Sequence, residues 1–323
     1  MTNQTGNRVL TPEFKSDLKD GLLKPLLGRI KSDHTLMLCI RDGFINIYYR
    51  GGNIIKLEPK RRPDYQYLAT FDKNYAKIDL PSYFSNQRIA TKEDVSLLIE
   101  TIPQKKEIMD IHFSSRAKAE REFQQLVARE NSNSKISNDT DYFITDIEVA
   151  KGREARYDML AFKWPSVGSF RRTDKIQLAL IEMKYGSKAF SSKRDAPGIY
   201  QHFRDMTNFF QSAANTSKLA TIAKDQINQL NDLKLFGHTR TINRDFVVDE
   251  NHFEIIFILA NHKPSHNTNL LKELERIQSE CRSIQNDKLL LRFFTANSAG
   301  YGMYDACMMN IDEYIRLIKQ RKG

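Results

Sequence analysis

The first apolar positions of the chain, Phe14, Leu18, Leu22 and Leu23, recur at helical spacing and predict a helix over 12–31. The period then changes. TLMLCI, FINIYY and NIIKLE are short β-rich runs, with Asp42-Gly43 and Gly51-Gly52 between them as hairpin punctuation. YLATFD (67–72) predicts a fourth strand. KRRPD (60–64) interrupts as a basic loop, and Val95, Leu98 and Ile99 predict a helix over 91–101. Residues 1–105 therefore read as an N-terminal α+β module built on an antiparallel meander.

A second block, 106–323, follows. SSRAKAEREFQQLVAREN is made of strong helix formers, with Phe123, Leu126 and Val127 on one face. After a polar loop (131–141), FITDIEVA (143–150), ARYDMLAFKW (155–164) and KIQLALIEMK (175–184) predict three strands. PSVGSFRRTD (165–174) joins the last two as a hairpin loop punctuated by Pro165 and Gly168. IYQHFRDMTNFFQSAAN and KLATIAKDQINQLNDLKL predict two helices. Strands at 252–260 and 288–296 flank a helix at 269–284, and MNIDEYIRLIKQ closes the chain as a helix. This order predicts an α/β fold, a mixed central sheet flanked by helices and preceded by the β-rich meander.

Composition adds a partner class. Of 323 residues, 40% are hydrophobic and 28% charged, enough apolar material for a buried core. The net charge of +10 and a pI near 9.3 favour a polyanionic partner. Cys39, Cys281 and Cys307 are far apart and form no CxxC pair, so a zinc ribbon or disulfide framework is not expected. MTNQTGNRVLTPEF lacks a basic start followed by an apolar run, so no signal peptide is expected. The longest apolar run, IIFILA, is too short to span a bilayer. The expectation is a cytoplasmic protein with no membrane partner. There is no GxxxxGK[ST], so any nucleotide-driven motor belongs to another subunit.

The chemistry gathers on two strands. Side chains alternate across a strand, so Leu178, Leu180, Glu182 and Lys184 share one face, while Ala179, Ile181 and Met183 share the other. In the preceding strand Asp158, Leu160 and Phe162 share a face. A hairpin around 165–174 places Asp158 at the same sheet end as Glu182 and Lys184. Two carboxylates and an ammonium then meet. One reading is a salt bridge at a sheet end, which contributes little to stability. The other is a site for phosphodiester hydrolysis, because Mg²⁺ binds through carboxylate oxygens and keeps several waters. A lysine beside it can orient water and offset charge developing on phosphate.

Asp158 in RYDMLAF, followed across a hairpin by Glu182-Met183-Lys184, resembles the PD-(D/E)XK nuclease superfamily. Tyr157 stands where that family's nominal proline would be. The helix carrying Ala119-Glu120-Arg121-Glu122 is similar to one in archaeal Holliday-junction resolvases, which implies an active-site role for Glu120. Glu130, on the same helical face, competes for that role. Several branches of the superfamily carry a glutamine on the helix after the E-x-K strand, and Gln201 falls there. The resemblance covers roughly residues 114–300 and implies a restriction-endonuclease-like sheet. It implies Asp158 and Glu182 as ligands of Mg²⁺ or Mn²⁺, with the Met183 carbonyl as a further ligand. Lys184 would position the water, Glu120 would assist the metal or the water, and Gln201 would orient substrate or water. It further implies a DNA endonuclease leaving 5′-phosphate and 3′-hydroxyl ends, in restriction, phage defence or DNA processing. An RNA substrate, and an inactive nucleic-acid-binding or scaffold subunit of a larger complex, stay open. So do a homodimer and a partner subunit.

Arg171, Arg172, Lys188, Lys193 and Arg194 surround the expected site and could track phosphates, as could the basic run at 60–62; each reads equally as a solvated loop residue. His262 and His266 flank Pro264 and read as loop residues, and His202 as a packing or surface histidine.

Overall fold

The computed structural model describes residues 8–60, 62–76, 79–115, 118–132, 134, 137, 139–151, 155–166, 172–191, 197–236, 245–263, 268–281, 289–296 and 300–319. The chain divides into two compact units. One comprises Gly6–Arg129 and Asp225–Phe236; the other comprises Met1–Thr5, Glu130–Lys224 and Gly237–Gly323. The boundary expected near residue 105 falls inside the first unit.

In that N-terminal unit, α1 (Pro12–Lys19) and α2 (Lys24–Ser32) replace the single helix expected over 12–31. The Thr11 hydroxyl caps α1 by accepting from the Phe14 N–H. The chain leaves α1 at Asp20, and Pro25, in the first turn of α2, suits a fresh helix start. β1 (Leu36–Ile40), β2 (Ile45–Tyr49), β3 (Gly52–Pro59), β4 (Tyr67–Thr70) and β5 (Asn86–Ile89) form an antiparallel sheet in sequential order, with the short helix α3 (Ser82–Ser85) before β5. Then come α4 (Lys92–Glu100), α5 (Ile102–Ser115) and α6 (Ala119–Ser132). β5 and α5 go beyond the sequence expectation. β5 turns Gln87 inward beside Ile89, and α5 buries Lys105 in line with Ile102, Met109 and Phe113. A polar residue at a core-facing position breaks the apolar signal in each.

The meander and the start of α6 lock together at the β2–β3 turn, which is why the unit extends past residue 105. Arg50 and Gly51 form a two-residue turn flanked by the pair Tyr49↔Gly52, one position earlier than the Gly-Gly dipeptide suggests. Their φ angles are 49° and 72°, as a type I′ hairpin requires. A Cβ on Gly51 would stand 2.3 Å from the Arg121 carbonyl oxygen, and the Gly51 N–H donates to Gln125 Oε1 at 2.6 Å. Arg50 ties the turn to Glu122 and Asp110, each at 2.8 Å.

The C-terminal unit holds β6 (Tyr142–Lys151), β7 (Ala155–Lys163), β8 (Ile176–Tyr185), β9 (Val248–Ala260) and β10 (Leu289–Ala296) in one sheet of order β10-β9-β8-β7-β6. β6, β7 and β8 pair antiparallel, and β8, β9 and β10 pair parallel. Short connections serve the antiparallel part. Parallel pairing needs crossovers, and α7 (Ile199–Phe210) with α8 (Ala213–Asp232), then α9 (Thr268–Cys281), lie in those connections. α10 (Ile311–Lys319) closes the chain. β8 is buried on both faces, with Leu178 and Leu180 on one and Ala179, Ile181 and Met183 on the other, as befits a central strand. α7 covers the leucine face, where Phe210 meets the Phe253 ring at 4.8 Å. On the other face Glu254 is fully buried, accepting from the Tyr142 hydroxyl at 2.6 Å and paired with Lys163 at 3.3 Å. Mixed α/β architecture with a separate meander is thus what the sequence expects. Among the described residues no helix is long and apolar enough to cross a membrane.

Candidate active site

The β7–β8 ladder runs from Lys163↔Gln177 to Met159↔Ile181. One rung further the register sets Asp158 opposite Glu182, and opposite residues of an antiparallel pair share a face. There the Asp158 carboxylate accepts from the Met183 N–H, with Oδ2 at 2.8 Å. Lys184 shares the face of Glu182, and its Nζ lies 2.6 Å from Glu182 Oε1. Gly186, at φ 76°, then turns the chain away and donates its N–H to the Ala260 carbonyl at 2.8 Å. The left-handed region costs glycine little. The hairpin expected from sequence therefore brings Asp158, Glu182, Met183 and Lys184 together.

A fourth residue joins them from α7. His202 Nε2 lies 3.1 Å from Glu182 Oε1 and 3.1 Å from Lys184 Nζ. Glu182 is 2% exposed, Lys184 8% and His202 9%. Phe257 of β9 pairs beside Glu182 and adds an apolar neighbour. Buried this far, a charge is tolerated only when it is paired and hydrogen-bonded. The lysine and the histidine do this for Glu182.

The other sequence candidates stand elsewhere. Gln201 is exposed, and its amide donates to Asp205 at 2.8 Å, so the structure does not bring it to the cluster. Glu120 is half-buried on the part of α6 that belongs to the N-terminal unit; Glu130, also half-buried, belongs to the C-terminal unit. Arg172 is exposed and paired with Asp174, and Lys188 is exposed on the turn Ser187–Ala189. Arg171, Lys193 and Arg194 lie outside the described residues, as do Arg61 and His266. His262 packs edge-on against Phe190, and burial pushes its pKa down to about 4.

Three polar residues at this sheet end have no site role in the sequence reading. His202, read there as a packing or surface histidine, is one, and a signal for it exists. It lies on the buried stripe of α7 formed by Ile199, His202, Phe203, Met206 and Phe210, whereas Gln201 lies off it. Asp146 and Glu148 are the others. The β6 pairing shifts between Ile144↔Ala161 and Asp146↔Leu160. This one-residue bulge sets Asp146 opposite Leu160 and leads Glu148 to the rung of Asp158. Asp146 is fully buried, its Oδ1 accepting from the Ile147 N–H at 2.9 Å. Glu148 is half-buried with φ 54°, a backbone angle uncommon for a non-glycine residue.

The donor set suits a hard cation. Asp158 and Glu182 supply carboxylate oxygens from facing positions, the type of ligand Mg²⁺ takes through one or two carboxylates and water. It does not suit a metal held wholly by side chains. Among the described residues no group of three or more His, Cys, Asp or Glu side chains could hold one.

The chain matches no protein-family model and no curated protein. A solved structure of Pyrococcus furiosus SfsA in complex with Ca²⁺ overlaps 85% of this chain and 87% of its own, at 11% identity and a TM-score of 0.23. An overlap this loose carries no argument about function or mechanism.

Proposed function

We propose that the chain is a metal-dependent nuclease hydrolysing phosphodiester bonds of DNA to 5′-phosphate and 3′-hydroxyl ends. The observation that carries this reading is the meeting of Asp158, Glu182 and Lys184 on one face at one end of β7 and β8. In this reading Asp158 and Glu182, with the Met183 carbonyl, hold Mg²⁺, for which Mn²⁺ can substitute. Bound there, the ion supplies Lewis-acid polarisation of the phosphate. Lys184 positions the attacking water and offsets charge growing on the phosphate oxygens. The net charge of +10 supports a polyanionic substrate, and exposed Arg172 and Lys188 follow its phosphates. Restriction, phage defence or DNA processing would each use such an activity.

The test is degradation of plasmid, single-stranded DNA and tRNA by the wild type and Lys184→Ala, with Mg²⁺, Mn²⁺ or chelator. Cation-dependent DNA cleavage lost in Lys184→Ala is the expected result. Equal cleavage by both proteins would remove Lys184 from the mechanism, and preferential cleavage of tRNA would move the substrate to RNA. One observation favours a second reading, a nucleic-acid-binding or scaffold subunit without activity. Glu182, Lys184 and His202 already satisfy one another. Binding of DNA with no cleavage by the wild type would establish that reading.

A further inference from the structure

We infer that His202 is a positioning residue of this site, a second tether that keeps the Lys184 ammonium aimed when Glu182 is engaged elsewhere. The inference rests on the nuclease reading for its catalytic consequence and on geometry for the tether itself.

Among the neighbours of Lys184 Nζ at hydrogen-bonding range are Glu182 Oε1 at 2.6 Å and His202 Nε2 at 3.1 Å. An ammonium carries three N–H donors and can serve both at once. His202 Nε2 also lies 3.1 Å from Glu182 Oε1. A ring nitrogen has a single in-plane direction. It either donates its N–H to the carboxylate or accepts from the ammonium, never both. The two contacts of His202 are therefore alternatives, and the partner with the greater need takes the nitrogen.

In the structure the shorter contact belongs to the ion pair, so Lys184 leans on Glu182. A carboxylate that shares its charge with a cation has less to offer a lysine. A four-carbon side chain whose shortest contact is weakened gains rotamer freedom, and small misplacements of a reacting group are costly in rate. His202 prevents this, because Nε2, once released from Glu182, accepts from Nζ. It can do so because α7 is rigidly seated. The Gly198 carbonyl accepts from the His202 N–H at 3.2 Å, the Ile199 N–H reaches back to the Phe190 carbonyl at 3.0 Å, and Ile199 and Phe203 bury the same stripe. Residues that orient site groups from behind typically contribute 10–100-fold to metal affinity or activity.

The experiment compares wild type, His202→Gln and His202→Leu. Glutamine offers an amide oxygen to Lys184 and an amide N–H to Glu182, whereas leucine fills the space and offers neither. Three readouts are taken: kcat and KM on plasmid DNA with Mg²⁺, the midpoint of thermal unfolding, and the ¹⁵N resonance of His202 Nε2 in wild type and Lys184→Met without metal. His202→Leu is expected to lower kcat about 10–100-fold at unchanged KM, with His202→Gln recovering most of it at a similar unfolding midpoint. The Nε2 resonance is expected to move in Lys184→Met. A kcat in His202→Leu within twofold of wild type overturns the inference. So does a loss in both variants that tracks their unfolding midpoints, or an Nε2 signal indifferent to Lys184→Met. If the wild type cleaves nothing, the nuclease reading fails and with it the catalytic consequence of the tether, while the ¹⁵N signal still decides whether the tether exists.

Discussion

Replacing Lys184 with methionine removes the ammonium 2.6 Å from Glu182 Oε1 while keeping an unbranched apolar stem in place. At an effective dielectric of about 20, two unit charges at that separation attract by about 6 kcal/mol. Desolvation of both groups offsets much of this, so the net worth of the pair against an apolar replacement is small. Breaking it is another matter. Glu182 is 2% exposed, and the variant leaves its charge buried without the ammonium, with His202 still 3.1 Å away. Loss of one partner of a buried pair costs about 3–5 kcal/mol, and the remaining histidine places the expectation near 3 kcal/mol. The double variant Glu182→Gln with Lys184→Met removes both charges and should recover at least half of that loss. Urea unfolding followed by tryptophan fluorescence measures both. The chain's single tryptophan, Trp164, is buried in the same unit against Phe162 and Phe246, with ring centroids 5.9 and 5.7 Å away. A Lys184→Met protein within about 0.5 kcal/mol of wild type would mean that water screens the pair as at an ordinary surface, and the buried site would be refuted.

Asp158→Asn keeps an oxygen that can accept from the Met183 N–H, so circular dichroism should show an intact fold while DNA cleavage falls at least about 100-fold; retained cleavage would exclude Asp158 as a ligand. Gly51→Ala meets both a φ of 72° and the Arg121 carbonyl, and should destabilise the N-terminal unit by roughly 2 kcal/mol or more, read as faster limited proteolysis within residues 6–129. Burial lowers the pKa of Lys105 to about 8, and its Nζ donates to the Thr101 hydroxyl at 2.8 Å. The unfolded chain then binds more protons than the folded one between about pH 8 and pH 10.5, so this residue makes stability rise with pH across that window, by on the order of 3 kcal/mol in full. Urea titrations at pH 7.5 and pH 10 should show that rise in wild type relative to Lys105→Met; parallel curves for the two proteins would contradict it.

The elements of both units follow from local patterns. β1 to β4 and β6 to β10 occur where β-rich runs and turn residues predict them. β5 and α5 went unexpected because each turns a polar residue inward. Lys105 hid the stripe of α5 and Gln87 that of β5, and on α7 the inward polar residue is His202. A lysine aimed at a core and a lysine aimed at solvent look the same in a one-dimensional pattern, since their difference lies in what the helix packs against.

Alternation along 178–184 was enough to put Glu182 and Lys184 on one face, and the Pro-Gly loop before it was enough to return Asp158 to them. These are consequences of strand geometry with a period of two, so they need no knowledge of the rest of the chain. Gln201 and His202 are neighbours on a helix and point about 100° apart. Which of them meets Glu182 depends on how α7 lies across the sheet. The carboxylates of β6 depend on still less sequence information. Without the bulge, Asp146 would face Met159 on the far side of the sheet; with it, Asp146 faces Leu160 on the side of Glu182. A shift of one residue moves every side chain of a strand to the other face, and tertiary pairing chooses between the two registers.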